Sequence, residues 1–144
     1  LAPVGGGGLA SGTALAARCL SPSTRVVAAE PAGADDAFRS LQEGRIVPSL
    51  EPRTVADGLR TSLGRLTFPI LRALLAEVVT VSEEAIVAAM RLVWERMKVL
   101  IEPSAAVPVA ALLEGKLPVR GLRAGVILSG GNLDLDSLPW FPSR

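Results

Sequence analysis

The chain has 144 residues, 15 basic and 14 acidic side chains with a net charge of +1, and 49% hydrophobic composition. That length suits one α/β domain over residues 1–144 with a buried core, and the balanced charge leaves no electrostatic footprint for nucleic acid or an anionic membrane. The absence of histidine excludes a Ser-His-Asp triad, a His-ligated metal and imidazole acid–base chemistry within the chain.

Residues 1–4 read as the end of a buried strand, and Gly5, Gly6, Gly7 and Gly8 follow at once. Consecutive glycines between a strand and a helix let bare backbone N–H groups close around a phosphate at the helix N-terminus, where the helix dipole favours negative charge. A helix of small residues is expected over 9–20, with the lone Cys19 as a small buried residue in it, and Ser21-Pro22 stops it. One cysteine excludes an internal disulfide and a multi-thiolate zinc site. Residues 25–30 read as a central parallel strand ending at Pro31, then a helix over 35–42 stops near Gly44. The prolines, glycines and mixed polarity of 45–66 predict a long loop with one helical turn.

A helix is expected over 68–77, with Pro69 in its first turn, and a strand over 78–81. Ser82, with Glu83 and Glu84 behind it, is the N-cap of a helix that sets Ile86, Met90, Val93, Met97 and Leu100 on one stripe and pairs Arg91 with Glu95. Glu102-Pro103 ends it, and Ser104 is placed to cap another helix through Leu113, with Pro108 near its first turn. Residues 124–128 read as a final buried strand, turning sharply at Ser129-Gly130-Gly131-Asn132. Strands alternating with helices imply a parallel sheet with helices on both faces, whose ligands sit at the C-terminal ends of the strands. The unusual loops at 5–8, 30–36 and 129–132 all begin there. The glycine loop arrives so soon after Leu1 that the chain reads as the C-terminal part of something longer. No leader pattern or long uncharged apolar span is visible, which predicts a soluble cytoplasmic protein.

Several motifs leave their meaning open. Residues 5–10 satisfy the dinucleotide fingerprint G-x-G-x-x-A, and Glu30 falls twenty residues beyond Ala10, so a Rossmann-type nucleotide-binding domain is one reading. A P-loop fails, because no Gly-Lys-Ser/Thr follows. Glu30 and Asp36, with a carbonyl such as that of Ala34, offer the oxygen-only ligation that suits Mg²⁺, Ca²⁺ or Mn²⁺. On residue types alone, the simpler role for Asp35 and Asp36 is capping the helix that follows. Glu102 is either a solvated helix end or a buried carboxylate pointing into a site, and Asp57-Gly58 is equally a common turn.

Taken together, Pro-Val-Gly-Gly-Gly-Gly-Leu (3–9), Glu-Pro-Ala-Gly-Ala-Asp-Asp (30–36), Ala-Asp-Gly-Leu (56–59), Leu-Val-Trp-Glu-Arg-Met-Lys (92–98), Ile-Glu-Pro-Ser-Ala (101–105) and Leu-Ser-Gly-Gly-Asn-Leu-Asp (128–134) form a specific set. Through them the chain resembles, nearly end to end, serine racemase and the related serine/threonine dehydratases, which are pyridoxal-phosphate enzymes of fold type II. The resemblance implies the C-terminal part of that family's large, cofactor-binding domain. It implies that the phosphate belongs to pyridoxal 5′-phosphate, held by backbone donors of Gly5, Gly6, Gly7, Gly8 and Leu9. It further implies that Ser129 faces the pyridine nitrogen, that Gly58 lines the cofactor and that Glu102 supports the network around it. A hydroxyl does not hold the ring protonated as an aspartate does, which suits β-elimination and reversible α-proton transfer.

Glu30, Ala34 through its carbonyl, and Asp36 coincide with the family's divalent-metal ligands, which turns the acidic cluster from a cap into a metal site. Lys98 and Asn132 fall where racemase-like members bind ATP at a subunit interface. The implied substrate is a small amino acid, serine or threonine, and the implied assembly is a homodimer. The family's Schiff-base lysine lies in an N-terminal Ser-Phe-Lys segment and its opposite-face serine in a Ser-Gly-Asn-His segment; this chain contains neither, so no catalytic residue is assigned to it. A non-catalytic chain that holds cofactor or metal is the second reading. The pattern departs at Ala106 and Pro108, where relatives often carry glycine or another small residue. Only ten residues follow Asp134, which predicts no C-terminal regulatory domain.

Overall fold

The computed structural model describes residues 1–140. At its centre lies a three-stranded parallel sheet in the order β1 (Ala2–Pro3), β2 (Val27–Pro31), β3 (Glu77–Val81). Every residue of β2 is buried, which is why it is a nearly continuous apolar run, and its register carries Val27 opposite Glu77 through to Pro31 opposite Val81. Side chains alternate along the strands, so Ala28 and Val78 enter one core while Ala29 and Val81 enter the other.

The first core is closed by α1 (Gly8–Leu20), α2 (Asp36–Glu43) and α3 (Thr67–Leu74), through Ala10, Ala37 and Leu71. Helix α1 buries only Ala10, Ser11 and Ala14, and these small side chains let it pack closely on β1 and α3. The second, larger core lies under α4 (Glu83–Met97) and α5 (Pro103–Leu113), and joins Ile86, Met90 and Val93 to the alanines of α5. Helix α5 is buried almost all round because it packs against α4 and against all three strands. The expected parallel sheet with helices on both faces is therefore the observed architecture.

Differences from the sequence expectations have physical reasons. Cys19 is exposed, because it lies five residues beyond Ala14, about 140° around the helix from the buried stripe. Helix α3 stops at Leu74 rather than 77, since Leu75 turns extended and Ala76 N–H reaches Val26 C=O to start β3. Ser82 caps α4 as expected, accepting from Ala85 N–H at 3.2 Å, and Arg91 meets Glu95 at 2.7 Å. The stripe on α4 ends early, however: Met97 and Leu100 are 59% and 49% exposed, because the chain leaves the helix through a left-handed turn at Lys98. Ser104 is not a cap. Helix α5 begins at Pro103 with Glu102 at the N-cap position, and Pro108 sits in its second turn.

Residues 124–128 do not form a buried strand. They run beside β1, where the Leu1 amino group donates to Gly125 C=O at 2.7 Å and Ile127 N–H donates to Leu1 C=O at 3.0 Å, the bond pair of a parallel pairing at Val126. Among the described residues Leu1 alone supplies partners, and Ala124 and Gly125 are exposed.

Candidate functional site

The glycine loop joins β1 to α1 at the C-terminal edge of the sheet. Gly7 occupies the N-cap position with φ 88°, a left-handed conformation that favours glycine. A Cβ on Gly7 would lie 2.7 Å from Thr67 Oγ1 and 2.9 Å from Leu71 Cδ1, so the fold itself requires that glycine. Gly5 is confined similarly, with Thr61 Cγ2 at 3.1 Å from an added Cβ and Gly58 C=O at 3.3 Å. Gly8 is different: a Cβ there would meet nothing within 4 Å. Among the described residues, no protein acceptor takes the N–H groups of Gly5, Gly6, Gly7, Gly8 or Leu9. Unpaired donors at the start of a 13-residue helix, beside space that a side chain would fill, suit an anion with several oxygen acceptors.

Glu30 is the penultimate residue of β2 and is 1% exposed. Its carboxylate accepts from Ala37 N–H at 3.2 Å and Phe38 N–H at 2.6 Å, so Glu30 satisfies the first turn of α2 from a distance. Asp35 makes no cap bond and pairs instead with Arg39 at 2.7 Å, while Asp36 Oδ2 accepts from Leu63 N–H at 3.1 Å. The capping role expected of Asp35 and Asp36 thus belongs to Glu30, a residue that a local motif would not nominate. Burial pushes the Glu30 carboxyl from its ordinary 4.5 up to about 8, with repulsion from Asp36 and Asp35 adding to the rise against the two N–H bonds. Burial also raises Asp36. Ala34 is buried in a 3₁₀ turn over Ala32–Ala34, between the two carboxylates in sequence. Among the described residues there is no group of three or more His, Cys, Asp or Glu side chains placed to hold a metal. A cation here would depend on Glu30, Asp36, backbone carbonyls and water.

Gly58, Glu102 and the 129–132 turn come together beside the glycine loop. Gly58 lies in a 3₁₀ turn over Asp57–Leu59, and its N–H donates to Ser104 Oγ at 3.1 Å. A Cβ on Gly58 would meet that hydroxyl at 2.9 Å and Glu102 Oε1 at 3.8 Å. Glu102 grips the final turn twice, its N–H donating to Gly130 C=O at 3.0 Å and its Oε2 accepting from Asn132 N–H at 2.7 Å. The carboxylate lies 3.0 Å from where a Gly130 Cβ would be, which explains that glycine. Ser129, the preceding residue, is exposed, and its hydroxyl has no partner among the described residues. Lys98 is also exposed; the contact between its neighbourhood and the final turn is made by Leu100, whose C=O lies 3.0 Å from an added Gly131 Cβ.

The irregular stretch 45–66 is anchored largely by these same residues. Arg53 N–H donates to Gly33 C=O at 2.9 Å, Val55 N–H to Glu83 Oε2 at 2.7 Å, Leu63 N–H to Asp36, Gly58 N–H to Ser104, and Gly64 N–H to Gly6 C=O at 3.1 Å. Ser104 and Thr67 were not singled out from the sequence as site residues. The local signal for Ser104 is a capping position it does not occupy, and Thr67 stands one residue before the helix expected from Phe68. The nucleotide-fingerprint reading needs Glu30 open to a ribose, whereas its carboxylate is 1% exposed and turned onto the first turn of α2.

A family model described as "Pyridoxal-phosphate dependent enzyme" matches residues 1–130. The β-hydroxyaspartate dehydratase of Paracoccus denitrificans (strain Pd 1222) is 49% identical over 140 residues, which cover 97% of this chain and 44% of that protein. Serine racemase of Dictyostelium discoideum is 49% identical over 142 residues, covering 96% of this chain and 44% of that one. The crystal structure of Dictyostelium discoideum serine racemase superposes with a TM-score of 0.88 at 50% identity, over 93% of this chain and 43% of that chain. The crystal structure of a T.th. threonine deaminase superposes with a TM-score of 0.85 at 52% identity, over 92% of this chain and 49% of that chain. The chain therefore spans less than half the length of the curated relatives it matches.

Proposed function

The chain belongs to the family of pyridoxal-phosphate dependent enzymes, and on that premise we propose that it is the C-terminal, cofactor-cradling part of a serine racemase or an L-serine/L-threonine dehydratase. Its α/β architecture is that of the fold type II members. The observation that carries the reading is the row of unpaired N–H groups from Gly5 to Leu9, which we assign to the cofactor's phosphate. When bound, pyridoxal phosphate withdraws electrons from the α-carbon of an amino acid and so acidifies its α-proton.

This chain's own residues bind and orient. Gly5, Gly6, Gly7, Gly8 and Leu9 neutralise the phosphate without spending a charged side chain. Gly58 lines the cofactor in this reading, and its missing Cβ lets the Ser104 hydroxyl pack against it. Ser129 offers the pyridine nitrogen a hydroxyl rather than a carboxylate, and Glu102 fixes the turn that carries it. The lysine that moves the α-proton lies in the part of the protein outside this chain. Return of the proton to the opposite face racemises the amino acid; loss of the β-hydroxyl as water gives an enamine, whose imine tautomer takes up water to release a 2-oxo acid and ammonia. The substrate class is a small β-hydroxy amino acid, in keeping with the names of the relatives.

Glu30, the Ala34 carbonyl and Asp36 are the residues for a divalent cation, which would also relieve the repulsion between the two buried carboxylates. Lys98 and Asn132 are the candidates for ATP as an effector in a homodimer. An exposed free thiol at Cys19 fits a cytoplasmic setting.

The test is to assay the full-length protein with L-serine, D-serine, L-threonine and β-hydroxyaspartate, following 2-oxo acid release and the enantiomeric composition of remaining serine. Release of 2-oxo acid or loss of enantiomeric purity, dependent on added pyridoxal phosphate, is expected. Cofactor binding with neither reaction would favour the non-catalytic reading.

A further inference from the structure

Thr67 lies at the first position of α3, far from the glycine loop in sequence, yet its hydroxyl donates to Gly6 C=O at 2.7 Å. The same carbonyl accepts from Gly64 N–H at 3.1 Å, so both of its lone pairs are engaged from one side. Across a planar trans peptide the next N–H points opposite to the carbonyl. Holding the Gly6 carbonyl toward α3 therefore turns the Gly7 N–H the other way, toward the row of unpaired donors. Thr67 and Gly7 are also in direct steric contact, since an added Gly7 Cβ would sit 2.7 Å from Thr67 Oγ1. Gly64 C=O also lies 3.1 Å from Thr67 Oγ1, so the single hydroxyl proton is shared between two carbonyls, with the shorter bond to Gly6.

We infer that Thr67 is a positioning residue for the anion cradle: its hydroxyl fixes the Gly6–Gly7 peptide so that the Gly7 N–H is aimed at the cofactor's phosphate before the cofactor arrives. This rests on the assignment of the Gly5 to Leu9 donors to that phosphate. The hydroxyl acts through the backbone: it removes the orientational freedom that a glycine peptide otherwise has, and so lowers the entropic cost of binding.

The test uses the full-length protein, stripped of cofactor, with Thr67→Val, Thr67→Ala and Thr67→Ser. Dissociation constants for pyridoxal phosphate and for pyridoxal, which lacks the phosphate, are measured by fluorescence titration, together with the melting midpoint of each apoprotein. The expected result is that Thr67→Val and Thr67→Ala weaken pyridoxal phosphate binding about tenfold, the scale of one oriented hydrogen bond. Pyridoxal binding should change less than about twofold, and Thr67→Ser should restore wild-type affinity for the phosphorylated form. Equal weakening for both ligands, unchanged affinity in both deletion variants, or failure of serine to restore binding would each overturn the inference and leave the phosphate assignment standing. A wild-type protein that binds both ligands equally would overturn the phosphate assignment itself, and the inference with it. Thr67→Ala leaves more space than Thr67→Val, so a folding defect confined to the valine variant still leaves the comparison in place.

Discussion

Glycines five to eight look equivalent in the sequence and are not equivalent in the structure. Gly7→Ala places a Cβ against Thr67 and Leu71 at a φ of 88°, and should cost about 1–3 kcal/mol of stability, read as a lower denaturation midpoint of the apoprotein. Gly8→Ala meets open space and should leave that midpoint unchanged or slightly raised, while weakening pyridoxal phosphate binding roughly tenfold, about 1.4 kcal/mol. Glu30 gives a prediction in pH. Its carboxyl ionises at 4.5 when unfolded and near 8 when folded, so below 4.5 both states carry the proton. Between those values the folded state keeps a proton that the unfolded state has released, and stability falls as pH rises through the window. Melting midpoints taken with a chelator across that range should decline, the decline should shrink with Glu30→Gln, and saturating Mg²⁺ or Mn²⁺ should flatten it if the carboxylates hold a cation. The type of each of these residues was legible in the sequence. Which glycine serves the fold and which serves the ligand was not, because the deciding neighbours, Thr67 and Leu71, are some sixty residues away.

At the scale of elements, periodicity and capping found the helices and strands, and erred where tertiary contacts overrule local preference. Ser82 does what a serine before two glutamates should do, since the first turn of α4 supplies its partner. Ser104 is also a capping residue type, but Glu102 is tied to the final turn, so the helix starts two residues earlier than a Ser104 cap would set it and the hydroxyl accepts from Gly58 N–H instead. The stretch 45–66 reads in the sequence as a long loop with one helical turn, and the 3₁₀ turn at Asp57–Leu59 is that turn; the course of the rest is not legible locally because bonds to distant groups such as Gly33, Glu83 and Asp36 also hold it. Its docking gives a sharp test: an added Cβ at Gly33 would lie 1.9 Å from Arg53 C=O, a clash with backbone that no side-chain rotation relieves. Gly33→Ala should therefore destabilise by about 3 kcal/mol in denaturant unfolding and raise proteolytic cleavage within 45–66, with α1 little affected.

For the molecule as a whole, the candidate site draws on segments at Gly5, Glu30, Gly58, Glu102 and Ser129: parallel pairing sets the first two at one edge of the sheet, and the bonds of Gly58 to Ser104 and of Glu102 to the final turn bring in the rest. A ligand that bridges them should bind the folded state alone. At a hundredfold excess over its dissociation constant, pyridoxal phosphate should add about 2.7 kcal/mol of stability to the full-length protein, visible as a concentration-dependent rise in melting midpoint. Inorganic phosphate should raise it far less, having only the glycine loop to hold. The parallel order of the strands was legible in the sequence, since helices separate them. The place of residues 124–128 beside the first strand was not, because nothing local marks which edge a last strand will join.

That placement has a consequence in time. Ser129 can take its position only after the segment before it has come back to lie beside the start of the chain. At ordinary translation rates the glycine loop is made on the order of ten seconds before the turn that completes the cup. During that interval a nascent chain presents the glycine loop without Ser129, so the cup proposed for pyridoxal phosphate stays incomplete until the turn has folded back.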